Sequence, residues 1–452
     1  MKTHKLKKHI LYFSVIALMA SNGIAHAQQT LSLKDAIQYA LENKSDARKA
    51  RLGVENSEHQ IAEVRSRALP QINASGNLIN NTILQESALP GDIFGLPGTT
   101  ILVPFGQKWM AIGGVHLTQN LFDYSVFTGL KAAKTTREFY KVNEQLTQEQ
   151  VIEAVAKNYY QVFITKQKLK TIEQTSANTA KVQHTIQGLF DNGLAKKVDL
   201  DRIKVTLVNL NSTKQQLENA YKLQENTLKF LIGMPINTPI TLQEETIAIN
   251  PTFPETLDVK QLTQFQLLET QNQLLQYNKQ SIVAGYYPTL SLGANYSYQG
   301  LGEKFPLSNA KPADGLFWTD YASISLNLNI PIFNGFATRS RVRQAQNQLD
   351  VLEEDMKETE LALNFSFENA KTQITNSIIT IESQKENVGL AQEVLDNTQN
   401  NYANGLATLT DLLEAENALT DAKNNYSQAL LEYKIAEIEM IKSKGELRSL
   451  TN

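Results

Sequence analysis

Between Asn401 and Met440 the apolar positions keep a seven-residue beat. Leu412, Leu419, Tyr426, Tyr433 and Met440 form one set, and Ala415, Ala422, Ala429 and Ala436 fall between them. That 3,4,3,4 spacing predicts a coiled-coil helix, which needs a partner helix along its length. Asn404-Gly405 interrupts the pattern just ahead, and Gly takes the left-handed conformation that ends a helix. The interruption is short, so the preceding helix must fold back as an antiparallel hairpin. The same passage stands 212 residues earlier: Phe190-Asp191-Asn192-Gly193-Leu194 then Asp199-Leu200, against Tyr402-Ala403-Asn404-Gly405-Leu406 then Asp411-Leu412. Gly233 anticipates Gly445 in the same way. The first copy carries Leu200, Ile203, Leu207, Leu210, Leu217, Tyr221 and Leu228, interrupted by Lys214 and Gln224. Agreement in register over about forty residues predicts a tandem duplication. The expected divisions are a leader at 1–27, a first repeat at 28–235, an irregular connection at 236–257 and a second repeat at 258–452.

Within each repeat the period changes from helix to strand and back. Leu33 to Arg67 predicts one helix ending before Pro70. Ile72, Ala74, Gly76 and Leu78 then alternate with Gln71, Asn73, Ser75 and Asn77, the two-residue period of a strand. Residues 83–107, rich in Gly and Pro, predict a long loop. Trp109, Ala111, Gly113, Val115 and Leu117 predict a second strand. A helix of some 67 residues follows from Asp123 to Phe190, about 100 Å at 1.5 Å per residue. The return helix runs to about Leu231, and Pro235, Pro239, Pro251 and Pro254 mark a less regular segment with room for a short strand. The second repeat predicts a helix at Val259–Ala284 and a strand of Leu290, Leu292, Ala294, Tyr296 and Tyr298 against polar alternates. A loop from Gly300 to Phe317 and a strand with Ile324, Leu326, Leu328 and Ile330 follow. A helix of about 65 residues then runs to Asn401.

The two strands of the second repeat have one apolar face and one uncharged polar face. Such strands either pack a soluble core or cross a bilayer, where about 9–11 tilted residues suffice. The N-terminus favours export: Lys2, Lys5, Lys7 and Lys8 precede an apolar run from Ile10 to Ala20 and an Ala25-His26-Ala27 cleavage pattern. Cleavage there removes four of 43 basic residues against 46 acidic ones, leaving 39 and a charge of −7, which argues against nucleic acid as a partner. With no Cys, neither a disulfide nor a lipidated Cys is available. No later stretch approaches the roughly 20 apolar residues of a membrane helix. Entry into a bilayer would therefore be by strands. Four strands cannot close a barrel, and an open sheet in lipid leaves backbone groups unsatisfied, so several chains would have to pool their strands. Three chains give twelve.

The leader, the duplicated order of helix, strand, loop, strand and long helix, and the paired Gly-Leu breaks followed by Asp resemble the TolC-type outer-membrane factors, the outer membrane efflux protein family. The resemblance spans essentially the whole mature chain. It implies a mainly α fold with a β membrane part. Long coiled-coil hairpins would form a trimeric α-barrel, and four strands per chain would contribute to a twelve-stranded transmembrane β-barrel. It implies an exit duct of an efflux pump or type I secretion system in the cell outer membrane, reaching into the periplasm, passive and gated at its periplasmic end. Its implied partners are two further copies, a periplasmic adaptor, an inner-membrane transporter and outer-membrane lipid, with loops 83–107 and 301–318 outside the cell.

The resemblance also assigns roles to residues. Asp411 and Glu414, at i and i+3 on one helix face, match the carboxylates of the periplasmic aperture. Asp411 is equally readable as a helix N-terminal acid favoured by the helix dipole. Tyr402 and Asp199 match gating contacts between hairpins. The family's basic residue after the second break is absent, because Ala407 stands there, and Lys196 and Lys197 are the nearby substitutes. The tips Gly193, Leu194, Gly405 and Leu406 match the adaptor-contact region, and are also readable as helix caps whose leucines fold back.

Two competing functions remain in view. A periplasmic adaptor also carries helical hairpins, but is expected to have one hairpin flanked by compact β-rich domains. An enzyme on a helical scaffold lacks a constellation: His59, His116 and His184 have no metal-ligand spacing, and Gly91, Gly95 and Gly98 lack the Lys-Ser/Thr of a phosphate loop. No cofactor or metal is expected. The cargo is not legible.

Overall fold

In the computed structural model, residues 29–243, 247–249, 257–307, 312 and 315–451 are described. The expected leader, Pro251, Pro254 and part of the 301–318 loop lie outside them. In chain order the elements are β1 (Gln29–Leu31), α1 (Leu33–Asn43), α2 (Ser45–Ser66), β2 (Gln71–Asn80), β3 (Glu86–Pro90), β4 (Thr100–Pro104), β5 (Trp109–Phe122), α3 (Tyr124–Asp191) and α4 (Lys197–Ile232). Then follow β6 (Ile240–Leu242), α5 (Thr263–Val283), β7 (Thr289–Gly302), β8 (Leu316–Asn329), α6 (Ala337–Ala403) and α7 (Leu409–Ser443). The helices α3 and α6 contain 68 and 67 residues.

Two expectations about these elements need correction. The single helix at 33–67 is two helices, because Lys44 adopts an extended backbone (φ −63°, ψ 131°). Tertiary contacts hold that break: the Lys44 ammonium donates to the Phe230 carbonyl at 3.2 Å and lies 3.9 Å above the Phe230 ring. The backbone at Asn43 and Lys44 also packs so close to Gly233 (φ 75°) that an added Cβ there would sit 2.9 Å from it. The loop at 83–107 contains a β3–β4 hairpin whose prolines, Pro90 and Pro104, are the last residues of their strands. A two-stranded ribbon tolerates Pro at such ends, so Pro was a poor guide to loop here.

The chain divides into two compact units. One is drawn from the chain up to Leu52, Asn143–Gln266 and Glu358 onward. Its largest core joins Ala36, Ile37 and Ala40 of α1, Ile152, Val155, Tyr159 and Val162 of α3, Leu228 and Ile232 of α4, and Ile438 of α7. Beside it β1 pairs in parallel with β6, the short strand expected in the connection. The seven-residue beat of α7 is spent on its own hairpin: Ala429, Tyr433, Ala436 and Met440 pack on Phe367, Ala370, Ile374 and Ile381 of α6, with Tyr426 partly buried beside them. Leu412, Ala415 and Leu419 continue that seam against Leu395.

The other unit, Gly53–Val142 with Leu267–Lys357, holds the sheet, in the order β2-β5-β7-β8, antiparallel throughout. Its registers put all four apolar sets on one face. Leu78 pairs with Ala111, which pairs with Gly300; Ala74 pairs with Val115, which pairs with Tyr296; and Ala294 pairs with Ile324. That face is bare in the single chain, Ile324 being 82% exposed and Leu326 and Leu328 also exposed. Aromatic rings lie toward both ends of the strands: Trp109, Tyr298 and Trp318 at one, Phe122, Tyr287 and Phe333 at the other. This is the placement of interfacial belts in a membrane strand. Edges β2 and β8 have no neighbour among the described residues.

Candidate functional site

The two helical turnarounds have the same construction. In each, an Asn side chain donates to a carbonyl four residues back, Asn192 to Gly188 at 2.7 Å and Asn404 to Asn400 at 2.8 Å. Gly193 (φ 75°) and Gly405 (φ 73°) then take the left-handed turn, and the N–H groups of Leu194 and Leu406 return to Leu189 and Asn401, both at 2.8 Å. The six-to-one bond satisfies a carbonyl left over at the helix end. The leucines do not fold back onto their helices: Leu194 and Leu406 are 76% and 79% exposed.

The helix starts differ. Thr408 caps α7 in a reciprocal box: its hydroxyl accepts from the Asp411 N–H at 3.2 Å, while Asp411 Oδ2 accepts from the Thr408 N–H at 2.8 Å. The backbone and hydroxyl bonds from Thr408 hold the Asp411 carboxyl below its ordinary range, so it stays ionised. Capping therefore preserves the charge rather than consuming it. Glu414, one turn further on, is exposed on the same helix. In α4 the cap position is Lys196, which offers no side-chain bond.

Tyr402 and Asp199 are brought into one neighbourhood. Tyr402 packs beside the cluster of Ile186, Leu200, Ile203, Leu409 and Leu413, through which the two hairpin tips meet. Burial, then the Asp199 charge, raises the Tyr402 phenol above its usual range. Their interaction is electrostatic, with no hydrogen bond between them among the described residues. Near the tips a hydrogen bond crosses between the hairpins, from the Arg202 guanidinium of α4 to the Thr410 hydroxyl of α7. Lys196 and Lys197, the expected substitutes for the basic residue missing at Ala407, are exposed. Arg202 was missed because it lies in the opposite copy of the repeat from the gap it helps to bridge.

Behind Arg202 lies a second feature that the seven-residue beat concealed. Leu409, Leu413, Glu416, Thr420, Leu431 and Ile438 make a second buried row on α7. Glu416 and Thr420 are two polar residues set in that row. Burial raises the Glu416 carboxyl above its ordinary range, opposed only by a bond with the Thr179 hydroxyl of α3. No group of three or more His, Cys, Asp or Glu suited to a metal occurs among the described residues. Nor is any described helix long and apolar enough to cross a membrane.

Paired coiled-coil hairpins, joined to strands with one apolar face and aromatic ends, are the parts of an outer-membrane channel subunit. The family model for outer membrane efflux proteins matches residues 36–234 and 263–446, and the chain belongs to that family of outer-membrane exit channels for efflux or secretion. It is 21% identical over 393 residues to the outer membrane protein TolC of Vibrio cholerae serotype O1, covering 86% of this chain and 84% of the relative. To TolC of Escherichia coli strain K12 it is 23% identical over 447 residues, covering 95% and 85%. Among solved structures, the outer membrane protein VceC of Vibrio cholerae superposes with a TM-score of 0.71 at 15% identity, covering 91% of this chain and 96% of that one. At that identity the likeness speaks for the fold. Members of the family are channels rather than enzymes.

Proposed function

We propose that this chain is one third of a passive exit duct, closed at rest by its hairpin tips and opened by partners. The observation that carries the reading is the sheet β2-β5-β7-β8, with one bare apolar face and two edges unpaired among the described residues. An unpaired edge cannot stand in hydrocarbon, because each orphan N–H or C=O costs several kcal/mol there. Pairing β8 of one copy with β2 of the next, three times over, removes every edge and yields twelve strands. On this reading the duplication at 28–235 and 258–452, joined by 236–257, supplies each subunit with two strands and one hairpin per repeat.

The same threefold operation would stack Asp411 and Glu414 as two rings of three carboxylates, favouring cations. Tyr402 with Asp199, and Arg202 with Thr410, would hold the tips together. The exposed Leu194 and Leu406, beside Gly193 and Gly405, are the surface offered to a periplasmic adaptor, which would link the duct to an inner-membrane transporter. Two hairpins per chain, rather than one, count against the adaptor reading. Reconstitution tests the proposal. Protein extracted in mild detergent should have the mass of three chains and conduct ions in a planar bilayer; a monomer that does not conduct would sink it.

A further inference from the structure

Between α3 and α7, about two helical turns along α7 from Thr410, four residues form a polar ring: Thr175 and Thr179 on α3, Glu416 and Thr420 on α7. All four are buried, Glu416 to 6% exposure. Apolar packing lies around the ring, with Ile186 and Leu413 toward the tips and Ile172 on the other side.

The hydrogen bonds of this ring bear on the state of the acid. A Thr hydroxyl has one proton to give. Thr420 Oγ1 lies 2.8 Å from the Glu416 carbonyl, which can only accept, so its proton goes there. Thr175 Oγ1, 2.9 Å from Thr420 Oγ1, must then be the donor of that pair. Thr179 Oγ1 lies 2.9 Å from the Thr175 carbonyl, again an obligate acceptor. Thr179 Oγ1 also donates to Glu416 Oε2, at the longer distance of 3.2 Å, so its one proton serves two acceptors. A carboxylate in that position would have only this long, shared hydrogen bond in place of water. A neutral carboxylic acid avoids that desolvation cost.

The surrounding charges do not supply an alternative. On α3, Glu173 is paired with Lys214 of α4 at 3.1 Å, while Lys181 and His184 are exposed. On α4, Arg202 is turned to Thr410; on α6, Asp396 accepts from Gln392 at 2.8 Å; on α7, Asp411 serves its own N-terminus. Asp199 stands beside Tyr402, and Lys423 lines a separate cleft with Phe163, Ile247 and Tyr426. None of these is a counter-ion to Glu416.

We propose that Glu416 is held as the neutral acid in the packed hairpins and locks α7 to α3, so that loss of its proton favours parting of the two. The inference rests on the reading of the hairpin tips as the gate. Burying a lone carboxylate is costly, so the packed arrangement binds the proton more tightly than the parted one, in which water reaches the group. The sign follows: the lock is complete below the ordinary carboxylate range and weakens as pH rises through the raised value. Each deprotonation releases one proton to solvent and shifts the balance toward the parted form by up to about tenfold per pH unit.

The test is single-channel recording of the reconstituted protein over a pH span that starts in the ordinary carboxylate range, at about pH 4, and rises well above it. Wild type, Glu416→Gln, Thr179→Val and Arg202→Ala would be compared. Isotope-edited infrared spectra of the same samples would follow the carbonyl band of a neutral carboxylic acid. Opening of the wild type should climb with pH. The carboxamide introduced by Glu416→Gln can donate to Thr179 at every pH, so that variant should stay at the low-pH level and lack the neutral-acid band. Thr179→Val removes the one donor to the carboxylate and should move the rise to higher pH. An unchanged pH profile in Glu416→Gln, with Arg202→Ala still altering opening, overturns the lock and leaves the gate standing. If neither variant alters opening, the gate reading itself falls. Absence of the neutral-acid band from the wild type across the whole pH span overturns the proposal.

Discussion

The indole of Trp318 on β8 lies stacked on the ring of Tyr298 on β7, with centroids 5.0 Å apart and planes 17° from parallel. Gly300, opposite Trp318 in the register, leaves the space for it: a Cβ there would come within 2.7 Å of the indole. An aromatic packed over a strand glycine compensates for the side chain the glycine lacks. Together with Trp109, the pair forms the aromatic row at the loop end of the sheet, where a ring with a polar edge suits the boundary of a bilayer.

Gly300→Val should therefore displace the indole and lose the stacking, about 0.5–1.5 kcal/mol. The expected result is a lower melting temperature of the detergent-extracted assembly and a red shift in tryptophan emission. Gly113→Ala is the control, since an added Cβ there meets nothing within 4 Å. Equal effects from both substitutions would refute the special role of Gly300.

Removing both carboxylates proposed for the aperture, Asp411→Ala with Glu414→Ala, should reduce cation preference and relieve block by polyvalent cations. Reversal potentials in a salt gradient measure this. Because Asp411 also caps α7, Asp411→Asn is the informative single variant: it deletes the charge and keeps a side-chain oxygen at the cap. Selectivity should fall in both variants, and unchanged selectivity would remove these residues from the aperture.

Arg202→Ala should loosen the tips, because it deletes the bond to Thr410 that crosses the hairpins. The open fraction in planar bilayers should rise by roughly fivefold to tenfold, the equivalent of about 1–1.4 kcal/mol for a bond to a charged group. Lys196→Ala and Lys197→Ala should have little effect, which separates a specific bond from general positive charge.

The capping box makes the first turn of α7 acid-sensitive. The Asp411 carboxyl is depressed in the folded state, so its contribution is present above the ordinary carboxylate range and lost as pH falls through the lowered value. Amide hydrogen exchange at Leu409 to Leu413 should quicken on acidification below about pH 4. The first turn of α4, capped by Lys196 without a side-chain bond, should not show that step.

Tyr433 is completely buried against α6. Tyr433→Ala should destabilise the α6–α7 hairpin by about 3–5 kcal/mol, the usual cost of emptying an aromatic site in a core. Tyr426→Ala, at a partly buried position of the same row, should cost distinctly less. Chemical denaturation followed by circular dichroism would rank the two.

The seven-residue beat from Leu412 to Met440, the paired Asn-Gly breaks and the two-residue alternation around Leu290 and Ile324 determined the hairpins, their boundaries within a few residues, and the strands. They could do so because each is a local periodicity, and a helix or strand needs one face buried whatever covers it. The family resemblance was legible for the same reason, since it rests on the order and spacing of such signals. Local pattern could not show the break at Lys44, because that turn is held by Phe230 and Gly233, nearly two hundred residues away. Nor could it pair Arg202 with Thr410, or close the ring of Thr175, Thr179, Glu416 and Thr420. In the sequence Glu416 is one more acid on a charged helix; only the packing of α7 against α3 takes it out of water, and that burial sets its chemistry.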